Sequence, residues 1–284
     1  MCPVNSRDSI VKMPTEPKAE LKVEAEAPAY LRHHQDFQSQ ILPGPRPLVV
    51  YVPPDYESAT SRRYPALYLH DGQNVFERNT AFGGVEWQVD ETAQALISAG
   101  EIEPLIVVGI YNAGEERINE YTPTADATRG GGKAALHGRM LLEEIKPFID
   151  AHYRTLQGPA NTGLGGSSLG GLVTLYLGIQ YPQIFGKLAV LSPSVWWDNR
   201  VILKMIATAN PRPRPKIWLD MGTSEGGMSL EDVEALRDVL QAKGWSEHED
   251  LYFGEFRGAK HNEAAWAKRV DPFLRYLFPR GSRR

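Results

Sequence analysis

Cysteine and long apolar runs are nearly missing from this sequence. The single cysteine, Cys2, cannot form a disulfide bond within the chain, so folding does not depend on an oxidising compartment. No stretch approaches the roughly 20 apolar residues of a membrane span, and the first thirty residues lack the apolar segment of a secretory signal. We therefore predict a protein with no membrane partner and a cytoplasmic location.

An excess of charge of one sign is also missing. Because 31 Lys and Arg stand against 35 Asp and Glu, the formal net charge is only −4, and the basic residues are spread along the chain. This distribution offers no electrostatic basis for binding nucleic acid. The seven histidines are scattered and form no set with the spacing of metal ligands. We predict no nucleic-acid partner, no metal and no cofactor.

Large apolar side chains are scarce in residues 1–30, which are rich in Pro, Glu, Lys and Ala. Such a segment buries too little apolar surface to offset the entropy lost on ordering. We predict a disordered leader over residues 1–30, with packing against the domain as the alternative. One domain then covers residues 31–280, and a short tail covers residues 281–284.

Short apolar runs alternate with helical patterns through the predicted domain. Continuous apolar runs of this length are typical of strands covered on both faces, as in a parallel sheet with flanking helices. The predicted strands are residues 47–52, 66–69, 105–110, 162–165, 188–191, 216–221 and 251–256. A helix is predicted over residues 232–240, where the apolar residues recur at helical spacing, and another closes the chain.

The strongest local motif is Gly-Ser-Ser-Leu-Gly at residues 166–170, between a predicted strand and a predicted helix. A nucleophilic serine at a strand-to-helix turn needs a strained backbone, and glycines two residues on either side let the strand and the helix approach. Ser168 has glycine on both flanks, whereas the second neighbour of Ser167 is Leu169. The motif therefore predicts Ser168 as the nucleophile, with an ordinary Gly/Ser turn as the alternative.

A serine hydroxyl needs a base, which is usually a histidine oriented by a carboxylate. His261 follows the last predicted strand after a short turn, which is where a base is expected. Glu225 lies in the loop after the preceding strand, while its rival Asp220 lies within that strand. The order Ser, Glu, His is typical of the α/β-hydrolase fold. We therefore predict that α/β fold, with a mostly parallel central sheet flanked by helices and no large separate cap domain.

Negative charge that develops in the transition state needs hydrogen-bond donors. One predicted donor is the backbone amide of Leu169, directly after the nucleophile. The second is the backbone amide of Gln73, in the loop that follows the strand at residues 66–69. A tight turn stabilised by Asp71 and Gly72 is the structural interpretation of the same loop, and both interpretations are compatible.

With these residues in place, the chain resembles the putative esterase family, which includes esterase D, enterochelin esterases, feruloyl esterases and mycolyltransferase-like proteins. The resemblance spans about residues 48–278. The matching segments are residues 69–74, 117–121, 166–171, 192–197 and 222–225, together with the late His261. The resemblance implies a substrate pocket formed or braced by Asp71, Asn74, Arg117, Glu120, Tyr121 and Trp197.

Two simpler interpretations of these pocket residues stay open. Arg117 and Glu120 are spaced as a local ion pair, and the tryptophan is as consistent with packing as with recognition. Residues 122–133 depart from the family pattern, and the Gly-Gly-Gly-Lys within them lacks the spacing of a phosphate-binding loop, so we predict a flexible loop near the cleft.

The resemblance implies hydrolysis of a carboxylic ester through an acyl-enzyme. The substrate is a small molecule: a simple, aryl, carbohydrate-linked or siderophore ester. Acyl transfer to an alcohol by the same triad is the first alternative. A non-catalytic binding protein on a hydrolase scaffold is the second.

Overall fold

The computed structural model describes residues 30–226, 230–247 and 249–281. The predicted leader, apart from Tyr30, and the predicted tail, apart from Gly281, lie outside these residues.

In the described part of the chain, eight strands form one central sheet in the order β1-β2-β4-β3-β7-β8-β9-β10. The strands β1 and β2 pair antiparallel, as do β2 and β4, and all other neighbours are parallel. A separate hairpin is formed by β5 and β6. The strands are β1 (Leu31–His34), β2 (Leu48–Tyr51), β3 (Ala66–His70), β4 (Ile106–Ile110), β5 (Ala125–Asp126), β6 (Gly130–Gly131), β7 (Thr162–Ser167), β8 (Lys187–Leu191), β9 (Lys216–Gly222) and β10 (Leu251–Phe256).

Helices cover both faces of this sheet. Because successive strand side chains point to opposite faces, Ala66 and Tyr68 of β3 join one apolar cluster while Leu67 and Leu69 join the other. The helices α1 and α9 pack together on one face, and α5 packs on β7 and β8 from the other. The helices are α1 (Val89–Ser98), α2 (Arg117–Glu120), α3 (Ala134–Met140), α4 (Lys146–His152), α5 (Leu169–Gln180), α6 (Trp197–Thr208), α7 (Leu230–Ala242), α8 (Glu263–Ala267) and α9 (Val270–Leu277). Among the residues described, no helix combines the length and apolar character needed to cross a membrane.

The mostly parallel sheet with helices on both faces confirms the predicted fold class. Each predicted strand is present, with ends that differ by at most two residues, and α7 contains the predicted helix. Two features differ from the predictions. Strand β1 pairs antiparallel with β2 although its His-His end lacks an apolar run, because the backbone bonds of the ladder do not require apolar side chains.

Residues 122–133 are the second difference, since they contain the β5–β6 hairpin instead of a loop without regular structure. The amide of Gly131 donates to Asn119 Oδ1 over 2.8 Å, and that of Gly132 donates to Thr122 Oγ1 over 3.1 Å. These bonds attach the hairpin to α2 and to the residues directly after it.

Candidate active site

Ser168 lies between the end of β7 and the start of α5, in a backbone conformation that few side chains adopt. Its φ is 59° and its ψ is −123°, a region that costs about 1–3 kcal/mol for a residue other than glycine. A Cβ atom on Gly166 would lie 2.9 Å from the carbonyl carbon of Gly170. Only glycine at position 166 therefore lets the strand and the helix approach this closely, as the motif required.

The hydroxyl of Ser168 lies at a cavity of about 310 Å³ that His261 also lines. Its oxygen is 3.4 Å from the hydroxyl of Ser194. Within the described ranges no hydrogen bond joins Ser168 to His261, a contact that in ligand-free sites is often long and tightens when substrate binds. The structure therefore brings the two predicted residues to one cavity without a direct bond between them.

His261 is bound to Glu225 through one of its two ring nitrogens. The imidazole Nδ1 lies 2.7 Å from Glu225 Oε2. Burial alone would raise the pKa of Glu225, but hydrogen bonds from His261, Ser192 and Arg269 outweigh burial and lower the pKa below its ordinary value. The carboxylate is therefore ionised at neutral pH and accepts the Nδ1 proton of His261.

The other oxygen of Glu225 accepts three donors. They are the hydroxyl of Ser192 at 2.7 Å, the amide of Gly222 at 2.6 Å and the guanidinium of Arg269 at 3.1 Å. Asp220, the rival acid, lies in β9 and pairs with the same guanidinium at 2.6 Å. The carboxylate of Asp220 is therefore paired with Arg269, and the carboxylate bound to His261 is that of Glu225.

Among the residues that the structure describes, the two predicted amide donors have no protein acceptor. Leu169 is the first residue of α5, and Gln73 is in a 3₁₀ turn, Gly72–Asn74, directly after β3. Neither backbone N–H donates a hydrogen bond among the described residues, and Gln73 lines the cavity. Free amides at the first turn of a helix carry a partial positive charge that suits a developing oxyanion.

Three of the predicted pocket residues line the cavity: Asp71, Asn74 and Arg117. Asp71 accepts Arg117 Nε and Nη2 at 2.7 Å each, and its Oδ1 also accepts Asn112 Nδ2 at 2.7 Å. Asn74 donates to Glu263 Oε1 over 3.3 Å. The polar side chains of the cavity wall thus form two hydrogen-bonded groups, one around Asp71 and one of Asn74 with Glu263.

The other three predicted pocket residues do not line the cavity; Tyr121 agrees with the predicted bracing role, and the pocket roles of Glu120 and Trp197 are corrected. Glu120 is buried in an ion pair with Arg46, so the alternative interpretation, an ion pair with Arg117, is wrong. The Tyr121 hydroxyl accepts the backbone amide of Asp71 over 3.3 Å, so this residue braces the pocket. Trp197 is buried and donates to Thr124 O over 3.1 Å.

Sequence reasoning missed six residues of the site: Ser192, Arg269, Asn112, Glu263, Trp266 and Phe82. Arg269 carried a signal, because a basic residue falls on the apolar stripe of the closing helices, beside Trp266 and Val270. No sequence signal pointed to the exposed Phe82, since a lone aromatic residue in a Gly-containing turn does not indicate a pocket.

Residues 39–277 match the family model described as "Putative esterase". Two relatives are "Uncharacterized protein YbbA" from Bacillus subtilis (26% identical; 83% of this chain, 93% of the relative) and "Iron(III) enterobactin esterase" from Dickeya dadantii (26% identical; 85% of this chain, 54% of the relative). Among solved structures, "Siderophore hydrolase EstB from Aspergillus nidulans" has a TM-score of 0.69 at 18% identity, and the alignment covers 92% of this chain and 98% of that one.

The family match spans most of the domain, and the solved structure shares its fold. The chain therefore belongs to the putative esterase family and is a carboxylic ester hydrolase of the α/β-hydrolase fold.

Proposed function

We propose that the protein hydrolyses esters through an acyl-enzyme on Ser168. The serine oxygen attacks the ester carbonyl carbon while His261 Nε2 takes its proton. The carbonyl oxygen becomes negatively charged and accepts hydrogen bonds from the amides of Leu169 and Gln73. His261 gives the proton to the departing alcohol. A water molecule, deprotonated by the same nitrogen, then attacks the acyl carbon and releases the acid and the free serine.

One observation carries this proposal: a strained serine and a carboxylate-bound histidine line the same cavity. Strain at Ser168 exposes its oxygen at the turn, and the 2.7 Å bond to Glu225 leaves Nε2 of His261 as the free imidazole nitrogen. Glu225 stabilises the imidazolium that forms when the serine proton is taken up. The arrangement suits acyl chemistry, and the same groups would also serve an alcohol acceptor in place of water.

For the acyl group, we propose an aromatic ring that carries hydroxyl groups. Phe82 lines the cavity with 77% of its surface exposed, which gives a ring a face to stack on. The same wall holds Asn112, Glu263 and Arg117, whose Nη1 has no acceptor among the described residues. These groups suit phenolic oxygens. The names of the Dickeya dadantii and Aspergillus nidulans proteins, an iron(III) enterobactin esterase and a siderophore hydrolase, agree with a siderophore ester as one substrate class.

The catalytic proposal is tested by comparing Ser168→Ala with Ser167→Ala, two adjacent serines of which only one is proposed to react. Ser168→Ala should lose turnover of p-nitrophenyl acetate to background, with its far-UV circular dichroism unchanged. Ser167→Ala should keep turnover of the same order as the unmodified protein. Turnover retained by folded Ser168→Ala would contradict the proposal.

The substrate proposal is tested by kcat/KM for acetyl, butyryl, feruloyl and catecholate trilactone esters. We expect the two hydroxyaryl esters to exceed butyrate by at least about tenfold, the discrimination that about 1.4 kcal/mol of stacking and hydrogen bonding provides. Equal values would contradict it. The same assays with methanol added separate the two acceptors, since a transferase would accumulate methyl esters in place of the free acid.

A further inference from the structure

A fully buried arginine joins the two acidic residues next to the histidine. Arg269 lies between α8 and α9 with none of its surface exposed. Its Nη1 donates to Asp220 Oδ1 over 2.6 Å and to the Ser192 hydroxyl over 2.7 Å, and its Nη2 donates to Glu225 Oε1 over 3.1 Å. A buried guanidinium requires such partners, because an unpaired charge there would be strongly unfavourable.

Ser192 is the second member of this cluster, and its backbone is strained. Its φ is +42°, an uncommon value for a residue with a side chain. Its amide donates to the main-chain oxygen of Asp220 over 3.0 Å, and its hydroxyl donates to Glu225 Oε1 over 2.7 Å. The same hydroxyl accepts Trp266 Nε1 at 3.1 Å. Strain that persists in a fully bonded turn points to a functional constraint.

The two oxygens of Glu225 therefore have separate partners. Oε1 accepts hydrogen bonds from Ser192, Gly222 and Arg269, whereas Oε2 is hydrogen-bonded to His261. Rotation of the carboxylate would break three bonds at once. We infer that Arg269 and Ser192 are positioning residues, which hold Glu225 so that one oxygen faces His261 and which keep the carboxylate ionised. This inference rests on the proposed function of Glu225 and His261.

The charges around Glu225 set the expected direction of a pH effect. His261 faces the carboxylate from the loop after β10, Arg269 from the junction of α8 and α9, and Asp220 of β9 competes for the same guanidinium. Removing the positive charge of Arg269 favours protonation of the Glu225 carboxylate, whose pKa the guanidinium lowers. The acid limb of the kcat/KM profile then moves to higher pH. Removing the negative charge of Asp220 leaves Glu225 as the only carboxylate paired with Arg269. The acid limb of the kcat/KM profile then moves to lower pH.

The test measures pH profiles of kcat/KM for p-nitrophenyl ester hydrolysis, per folded molecule, with three variants and one control. Arg269→Met should lower kcat about 10- to 100-fold, the loss that follows a misplaced catalytic group, and raise the midpoint of the acid limb by about one pH unit. Arg269→Lys should restore the midpoint but only part of kcat. Asp220→Asn should lower the midpoint.

The matched control is Arg46→Met, which also removes a buried arginine from an ion pair with a carboxylate, Glu120, but makes no contact with Glu225. It should keep the midpoint of the unmodified protein even if it loses stability. Equal profiles for Arg269→Met and Arg46→Met would overturn the inference. If Arg269→Met does not fold, Arg269→Lys and Asp220→Asn decide, and an Asp220→Asn midpoint that does not fall below the Arg269→Lys midpoint overturns the inference. A Ser168→Ala variant that stays active would contradict the proposed function instead, so the two failures are distinguishable.

Discussion

Replacing Glu225 by glutamine keeps the shape of the side chain and changes which atom faces His261. Oε1 meets three donors, so the amide oxygen of the glutamine must occupy that place. The amide nitrogen then lies where Oε2 was, 2.7 Å from His261 Nδ1. Two donors cannot share this contact, and the imidazole therefore moves its proton to Nε2, the nitrogen that should accept the proton of Ser168.

The expected loss follows from this wrong tautomer. An isosteric Asp-to-Asn exchange in a serine protease triad lowers kcat about 10⁴-fold, which corresponds to roughly 5 kcal/mol of transition-state stabilisation. We expect a loss of this order for Glu225→Gln. Glu225→Ala places no donor against Nδ1, so both tautomers of the imidazole remain accessible, including the one with Nε2 unprotonated. The loss of kcat in Glu225→Ala should therefore be no larger than in Glu225→Gln.

The assay is kcat for p-nitrophenyl acetate from pH 6 to 9, with circular dichroism as the control for folding. An explanation based on packing alone predicts the reverse order, because glutamine fills the space that alanine leaves empty. The reasoning would be refuted if folded Glu225→Gln kept activity within tenfold of the unmodified protein, or exceeded Glu225→Ala.

Three further predictions follow from burial, strain and charge. Phe82→Ala should change the free energy of unfolding by less than about 0.5 kcal/mol, because the ring is exposed, and raise KM for hydroxyaryl esters about tenfold, as urea titration and steady-state kinetics would show. Ser168→Gly should be about 1 kcal/mol more stable to urea than Ser168→Ala, because φ of 59° favours glycine, although both lack activity. Burial raises the pKa of Asp220 to about 6, so the folded protein binds this proton before the unfolded chain does as the pH falls. Relative to Asp220→Asn, the unmodified protein should therefore gain about 2 kcal/mol of unfolding free energy between pH 6 and pH 4, and a constant difference in urea titrations would contradict this.

Much of the fold was predictable because the strands of a doubly covered sheet are short apolar runs with clear ends. The runs around Leu67 and Val107 are buried on both faces, so their sequence pattern has one interpretation. Strand β1 was not predictable from this signal, since its pairing with β2 rests on backbone hydrogen bonds.

The candidate site was predictable where chemistry restricts both residue type and chain order. Ser168 needed flanking glycines, and Glu225 and His261 needed to follow strands in a fixed order. Pocket residues are under no such restriction. Glu120 pairs with Arg46, 74 residues away in the chain, and long-range partners of this kind cannot be deduced from local spacing. The partners of Arg269 could not be deduced for the same reason, since they come from three different segments.

The central claim is that Ser168 is the residue that carries the acyl group. A fluorophosphonate probe reacts with a serine only when a base has activated it. After incubation and proteolysis, mass spectrometry of the unmodified protein should find one adduct per chain, on Ser168, and none in Ser168→Ala. An adduct on Ser167 or Ser194, or no adduct on the folded protein, would contradict the claim.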